Sequence, residues 1–295
     1  MKTGKLLPAL ALSLNALVWG LSWWPFRQFQ GVGLHPLWTT TLIYTLAVLV
    51  ISAVQGKAWG QVLRTPTLWV LVLASGITNA AFNWAMTIGD VVRVVLLFYL
   101  MPLWSVLLAR LLLHERLTLF SALRVALALA GAAIVLWPDG GGLPLPASLS
   151  DWLAIVGGMS FALNNVMLRR EAHRSEGARA LAMFCGGVLV SATLAGVLSQ
   201  QGQADWPPLL APIWGLAAIA MGGLFLISNL ALQYGAARLP ANATAVIMLV
   251  EVPVAAGSAL LLGGGQLTWP VTAGGLLILG AALLAALEHS RPANP

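Results

Sequence analysis

One acidic residue of this chain stands deep inside an apolar run: Glu251, within Ala241–Leu262 and two residues before Pro253. Ionisable groups at membrane depth are costly and generally face a bundle interior or a water-filled cavity. A lone carboxylate there could hold a substrate ammonium, carry a coupling proton, or, as a neutral acid, bond a neighbouring helix. Amide side chains form a second set. Asn79, Phe82, Asn83 and Met86 recur at i, i+3, i+4 and i+7, one face of a helix. Asn15 and Trp19 share a face four residues apart, and Asn164 and Asn229 lie in later apolar runs. Each asparagine can orient a polar ligand or bond the next helix, the latter worth only about 0.6–2 kcal/mol. Tyr99 and Pro102 also share a face. Pro102 and Pro253 each remove a backbone donor, which hinges a helix or offers backbone groups to a ligand. Trp19, Trp84 and Trp104 sit deeper in their runs than the other tryptophans near span ends, and a ring at that depth either stacks on an aromatic or cationic ligand or serves as packing bulk.

The elements that hold these residues follow from composition. The 295 residues are 59% hydrophobic and 8% charged, against roughly 25% charged in soluble proteins. Nine acids and fifteen bases cannot cover a soluble fold of this size, so the apolar surface meets lipid. The net charge of +6 is scattered between apolar stretches, which argues for membrane orientation and against a nucleic-acid partner. Cys185 is the only cysteine, so an intrachain disulfide or a cysteine metal site is excluded, and it reads as a small buried hydrophobe.

Crossing the hydrocarbon core takes about 20 apolar residues. Spans are predicted at Leu6–Phe26, Pro36–Val54, Leu68–Ile88, Val91–Leu113 and Leu119–Trp137, then at Trp152–Leu168, Ala178–Ser199, Leu209–Tyr234, Ala241–Leu262 and Pro270–Leu287. Lys2 and Lys5 precede a first run too long for a signal peptide, which is read as a retained span. With the N-terminus cytoplasmic, 13 of the 15 bases fall inside and only Arg27 and Arg93 outside, a strong positive-inside bias that a miscount by one span would scatter. Both termini are then cytoplasmic, in a bacterial-type inner membrane.

The two halves repeat. Gly76, Asn83, Ala85 and Gly89 correspond at one offset to Gly222, Asn229, Ala231 and Gly235. Trp19 through Arg27 corresponds to Phe161 through Arg169, Pro102 to Pro253, and Leu117-Thr118 to Leu267-Thr268. Five spans per copy force the second to be inverted, the architecture of alternating-access transporters. The expected fold is therefore an all-α polytopic membrane protein of ten transmembrane helices in two inverted five-helix repeats. Residues 1–138 form the first repeat, 139–150 a Pro/Gly-rich linker, 151–288 the second repeat and 289–295 a short cytoplasmic tail.

The Trp19-Gly20 pair, Pro102, and Glu115-Arg-Leu-Thr118 leading into the fifth span resemble the EamA-type members of the drug/metabolite transporter superfamily. Within it the chain is similar to the YddG-type bacterial exporters of aromatic and other neutral amino acids. Gln266 departs from the pattern, which usually has a Glu there. The resemblance implies a central cavity formed by spans 1, 3, 4, 6, 8 and 9, and export from the cytoplasm.

Enzyme signatures are missing. His114-Glu115 lacks the second histidine of a zinc helix, and neither a nucleophile elbow, a P-loop nor a dinucleotide fingerprint occurs. The reading is a secondary transporter without metal or cofactor, whose partners are a small-molecule substrate, the lipid bilayer and, as a candidate, protons. Asn15, Trp19, Asn79, Phe82, Asn83, Tyr99, Asn164, Asn229 and Glu251 are the expected substrate-binding residues, with Pro102 and Pro253 as hinges. A multidrug or cationic-compound exporter of the same fold, proton-coupled through Glu251, is the alternative, ahead of a channel or an intramembrane enzyme.

Overall fold

The computed structural model describes residues 6–112, 119–138, 141–209, 212–236, 238–239 and 241–288. The Glu115–Thr118 motif and the 289–295 tail lie outside them. The described residues form helices α1 (Leu6–Leu21), α2 (Trp23–Gly31), α3 (Pro36–Val54), α4 (Ala58–Arg64), α5 (Pro66–Ile88), α6 (Val91–Phe98) and α7 (Met101–Leu112). They continue with α8 (Leu119–Val135), α9 (Leu149–Arg170), α10 (Glu176–Gln200), α11 (Pro212–Ala236), α12 (Ala241–Met248), α13 (Glu251–Leu262) and α14 (Trp269–Glu288). Among the described residues six helical stretches are long and apolar enough to cross a membrane: Leu6–Gly31, Pro36–Val54, Pro66–Ile88, Val91–Leu108, Glu176–Gln200 and Pro212–Leu232. Ala122–Val135, Val246–Leu262 and Trp269–Leu284 are apolar but shorter.

Several helix starts carry side-chain caps. The Asp90 side chain accepts from the Arg93 amide and opens α6. Ser148 and Asp151 form a reciprocal capping box at α9, and Ser175 accepts from the Ala178 amide at α10. Three apolar runs are broken. Val91–Leu112 is interrupted at Tyr99-Leu100 and Ala241–Leu262 at Leu249-Val250. Pro102 and Pro253 follow these breaks and lack the N–H that a continuous helix would send to Phe98 and Leu249. The third break is a correction to the uniform first span: Leu6–Phe26 is divided at Ser22, and helix continues to Gly31. Pro25 removes the bond to Leu21, and the Ser22 hydroxyl turns back to donate to the Trp19 carbonyl at 2.8 Å.

The bundle is apolar outside and tightly packed inside. Along α1 the exposed residues Leu7, Leu10, Leu14, Leu17 and Leu21 form a helical stripe, while Leu12, Asn15, Ala16 and Gly20 are buried. α5 lies between α9 and α10, α10 also runs along α3, α1 runs along α11 and α13, and α8 pairs with α14. Between lipid-embedded helices close packing replaces the hydrophobic drive, and small residues permit it. Gly76 of α5 meets the Gly186 backbone of α10, and Gly131 of α8 meets Gly274 of α14.

Candidate functional site

Where α1, α3, α5, α6, α9, α10 and α11 meet, seven aromatic rings form a continuous chain. Trp19 stands edge-on to Phe225 at 4.9 Å and to Phe82 at 6.3 Å. Phe82 contacts Phe98 at 4.6 Å, and Phe98 contacts Phe161 at 5.4 Å. On the other side Phe225 contacts Tyr44 at 6.1 Å, and Tyr44 contacts Phe184 at 5.4 Å. Tyr99 adjoins Phe98 at 6.3 Å, and its hydroxyl donates to Glu251 Oε2 at 3.3 Å. Tyr99 is the C-cap that follows α6, and Glu251 is the residue that begins α13. The cluster thus joins two helix breaks from opposite halves of the chain.

Of the expected residues, Trp19, Phe82, Tyr99 and Glu251 are gathered there. The asparagines are placed differently. The Asn83 amide, 2% exposed, donates to Thr40 Oγ1 at 3.0 Å, tying α5 to α3. Asn79 donates to the Ser75 carbonyl at 2.8 Å and accepts from the Tyr44 hydroxyl at 2.6 Å. Asn15 donates to the Ser228 carbonyl and hydroxyl of α11, at 2.9 and 2.7 Å. The carbonyl oxygens of Asn15 and Asn164 are buried and accept no hydrogen bond. Asn229 is half-buried on α11. Of the other deep tryptophans, Trp84 stacks edge-on to His35 at 5.3 Å, and the buried Trp104 indole N–H on α7 has no acceptor.

Phe98, Phe161, Phe225 and Tyr44 were not among the expected binding residues. Phe98 precedes Tyr99, and Phe225 lies four residues before Asn229 on α11, so position relative to an expected residue was the available signal. A second polar centre was also not expected: at one end of the bundle the α5–α6 turn meets the α13–α14 turn. The Val91 amide donates to the Gly264 carbonyl at 3.0 Å, and Asp90 Oδ2 accepts from the Gln266 amide at 2.6 Å. Arg27 reaches from α2 to the carbonyls of Gly89 at 2.6 Å, Met86 at 3.2 Å and Gly264 at 3.4 Å. An open cleft of about 460 Å³ lies over this seam.

Nearby, Arg93 pairs with Asp151 through two bonds of 2.8 and 3.0 Å and donates to the Val135 carbonyl at 2.7 Å, so α6, α8 and α9 are tied at one point. Burial alone would push the Asp151 carboxyl up. The hydrogen bonds and charge of Arg93, with the Ala147 and Ser148 amides, reverse that and hold it below the usual carboxylate range.

Residues 6–137 match the model of the EamA-like transporter family. A 180-residue stretch is 28% identical to a protein named as an uncharacterized transporter of Pseudomonas aeruginosa, covering 58% of this chain and 57% of that one; the chain thus spans little more than half the length of this curated relative. A crystal structure is similar in fold, with a TM-score of 0.57 and 20% identity, over 97% of this chain and 99% of that one. With the apolar helices, the family match over the first half supports a multi-pass membrane protein.

Proposed function

We propose that this chain is a secondary transporter that exports small metabolites, foremost neutral and aromatic amino acids, from the cytoplasm by alternating access between two inverted five-helix halves. The observation that carries the reading is the ring cluster around Trp19, Phe82 and Tyr99, closed by the Glu251 carboxylate where two broken helices meet. Aromatic faces suit an apolar side chain, and a carboxylate suits an ammonium. Broken helices that expose backbone at the middle of a bundle are the usual setting of transporter sites.

Helix packing supports the inverted halves, with 1–138 and 151–288 as the two units joined by 139–150. α1 runs along α11 and α13, and its counterpart α9 runs along α5 and the α6–α7 pair. α3 lies against α11 as α10 lies against α5, and α8 pairs with α14. The base distribution supports ten spans and cytoplasmic termini in an inner membrane. In this reading Pro102 and Pro253 supply flexure, Asn83 and Asn79 hold the walls, and Asn15, Asn164 and Asn229 face the path.

A second reading, export of cationic compounds coupled to protons through Glu251, is favoured by that carboxylate's direct bond to Tyr99 and by the absence of a base in the ring cluster among the described residues. Counterflow in proteoliposomes across a panel of amino acids and cationic dyes separates the two. Transient accumulation of phenylalanine or leucine supports the first, and accumulation of dyes alone replaces it with the second.

A further inference from the structure

The polar seam between the α5–α6 turn and the α13–α14 turn plays no part in the ring cluster, yet it bonds the two halves together at several points. Its bonds are of three kinds. Backbone joins backbone from Val91 to Gly264. The Asp90 carboxylate accepts the Arg93 amide of its own helix with one oxygen and the Gln266 amide of the other half with the second. The Arg27 guanidinium holds carbonyls of both turns, Gly89 and Gly264, and lies 5.0 Å over the Trp23 ring. Trp23 in turn donates to Ser258 Oγ of α13 at 3.0 Å and presses on Gly264, where any side chain would collide with the ring. Arg27 is therefore a cation satisfied by neutral carbonyls. Hydrogen bonds from a charged donor are strong enough to hold a surface closed, and the Asp90 charge lies close enough to Arg27 to add to them.

α6 packs along α13, whereas α7 packs on α8 and α9, and α12 packs on α1 and α14. Across the halves α6 and α13 meet each other directly, while α7 reaches the second half through α9 and α12 reaches the first through α1. The seam also sits where α2 begins after its own break at Ser22, so Trp23 and Arg27 can swing with α2 while α1 stays against α11.

We propose that Arg27 and Asp90 are gate residues: together they latch this mouth of the bundle shut, and each transport cycle requires Asp90 to release the Gln266 amide and Arg27 to release the Gly264 carbonyl. This rests on the alternating-access reading but not on the identity of the substrate. The mouth is on the side opposite the N-terminus, where the positive-inside distribution leaves Arg27 and Arg93 as the two bases. Removing either gate residue removes bonds made only in the closed state, so the population shifts toward the open one.

The test uses accessibility rather than transport, so failure of the substrate assignment leaves it readable. Val92 is 4% exposed and lies under Gly265 at the seam. Val92→Cys, in a Cys185→Ser background, is the sole thiol of the reporter protein. It is reconstituted in liposomes and treated with a membrane-impermeant maleimide from each side. Labelling from the side opposite the N-terminus should rise about fivefold or more in Arg27→Gln and in Asp90→Asn, with Arg27→Lys between. A second measurement guards against local unfolding. Spin labels at the exposed Ile88 and Leu267 should give a longer-distance population in both variants that is absent with the latch intact. Labelling rates within about twofold of the intact latch, or a rise from both faces with unchanged spin-label distances, would overturn the proposal.

Discussion

At the α6–α7 break the Phe98 carbonyl, the one left without its helical donor by Pro102, points at Gly158 of α9. At the α12–α13 break the Glu251 carbonyl points at Gly20 of α1, where a Cβ would stand 2.9 Å away. In both places a broken helix is pressed against a glycine of a long neighbour, and a proline follows within three residues of the break. The side chains differ. The first break contributes Phe98 and Tyr99, which are rings and a hydroxyl. The second contributes Glu251, whose counterpart in the first half is the apolar Leu100. Two breaks built alike mechanically carry opposite halves of the chemistry, an aromatic wall and a charge. In the proposed reading a symmetric scaffold alternates between two mouths, while a single asymmetric site sets what it carries.

The largest expected effect tests the asymmetry. Glu251→Gln should lower counterflow of an amino acid by about tenfold or more, the scale of a lost charge-assisted hydrogen bond of roughly 1.5–3 kcal/mol. Leu100→Ala should change the apparent affinity little. Equal losses at both positions would make the acid a packing residue. The mechanical likeness is tested by Gly20→Ala and Gly158→Ala, each of which forces a methyl onto a backbone carbonyl. Both should destabilise by about 1–3 kcal/mol, read as a lower Tm in detergent. A loss at one position alone would show that the breaks are held differently.

Asp151 gives a smaller effect with a pH signature. Its folded carboxyl lies below the ordinary range, so its contribution is present above the unfolded pKa near 3.8 and is lost as pH falls below it toward the folded value. Asp151→Asn should lower Tm at pH 7, reflecting a loss of about 1.5–3 kcal/mol for hydrogen bonds to a charged group, and should flatten the decline of wild-type stability below about pH 4. Smallest is Asn83→Ala. Its amide bonds Thr40 between helices, so stability should fall by about 0.6–2 kcal/mol while counterflow affinity stays unchanged. A marked loss of affinity at normal stability would return Asn83 to the binding site.

Much of the helical layout was legible because lipid demands long apolar runs and because proline chemistry marks breaks. Pro36–Val54 has the same bounds in sequence and structure, and Pro102 and Pro253 each follow an interruption. Of the site, Trp19, Phe82, Tyr99 and Glu251 were readable as deep, polar or aromatic residues on helical faces. The asparagines were not separable, since an amide that bonds a ligand and one that bonds Thr40 or Ser228 have the same spacing. Phe98 and Phe225 were hidden among apolar residues, where ring contacts depend on which helices meet. The Arg27–Asp90 seam was invisible because it joins turns more than 170 residues apart in sequence through backbone groups, which no residue type announces.

The central claim is that substrate passes the ring cluster where the two breaks meet. Phenylalanine counterflow by the wild-type protein, Trp19→Ala and Glu251→Gln, at matched incorporation in proteoliposomes, tests it most directly. Expected is saturable transient accumulation by the wild type and a loss of about tenfold or more in both variants. Equal accumulation by all three proteins would contradict it.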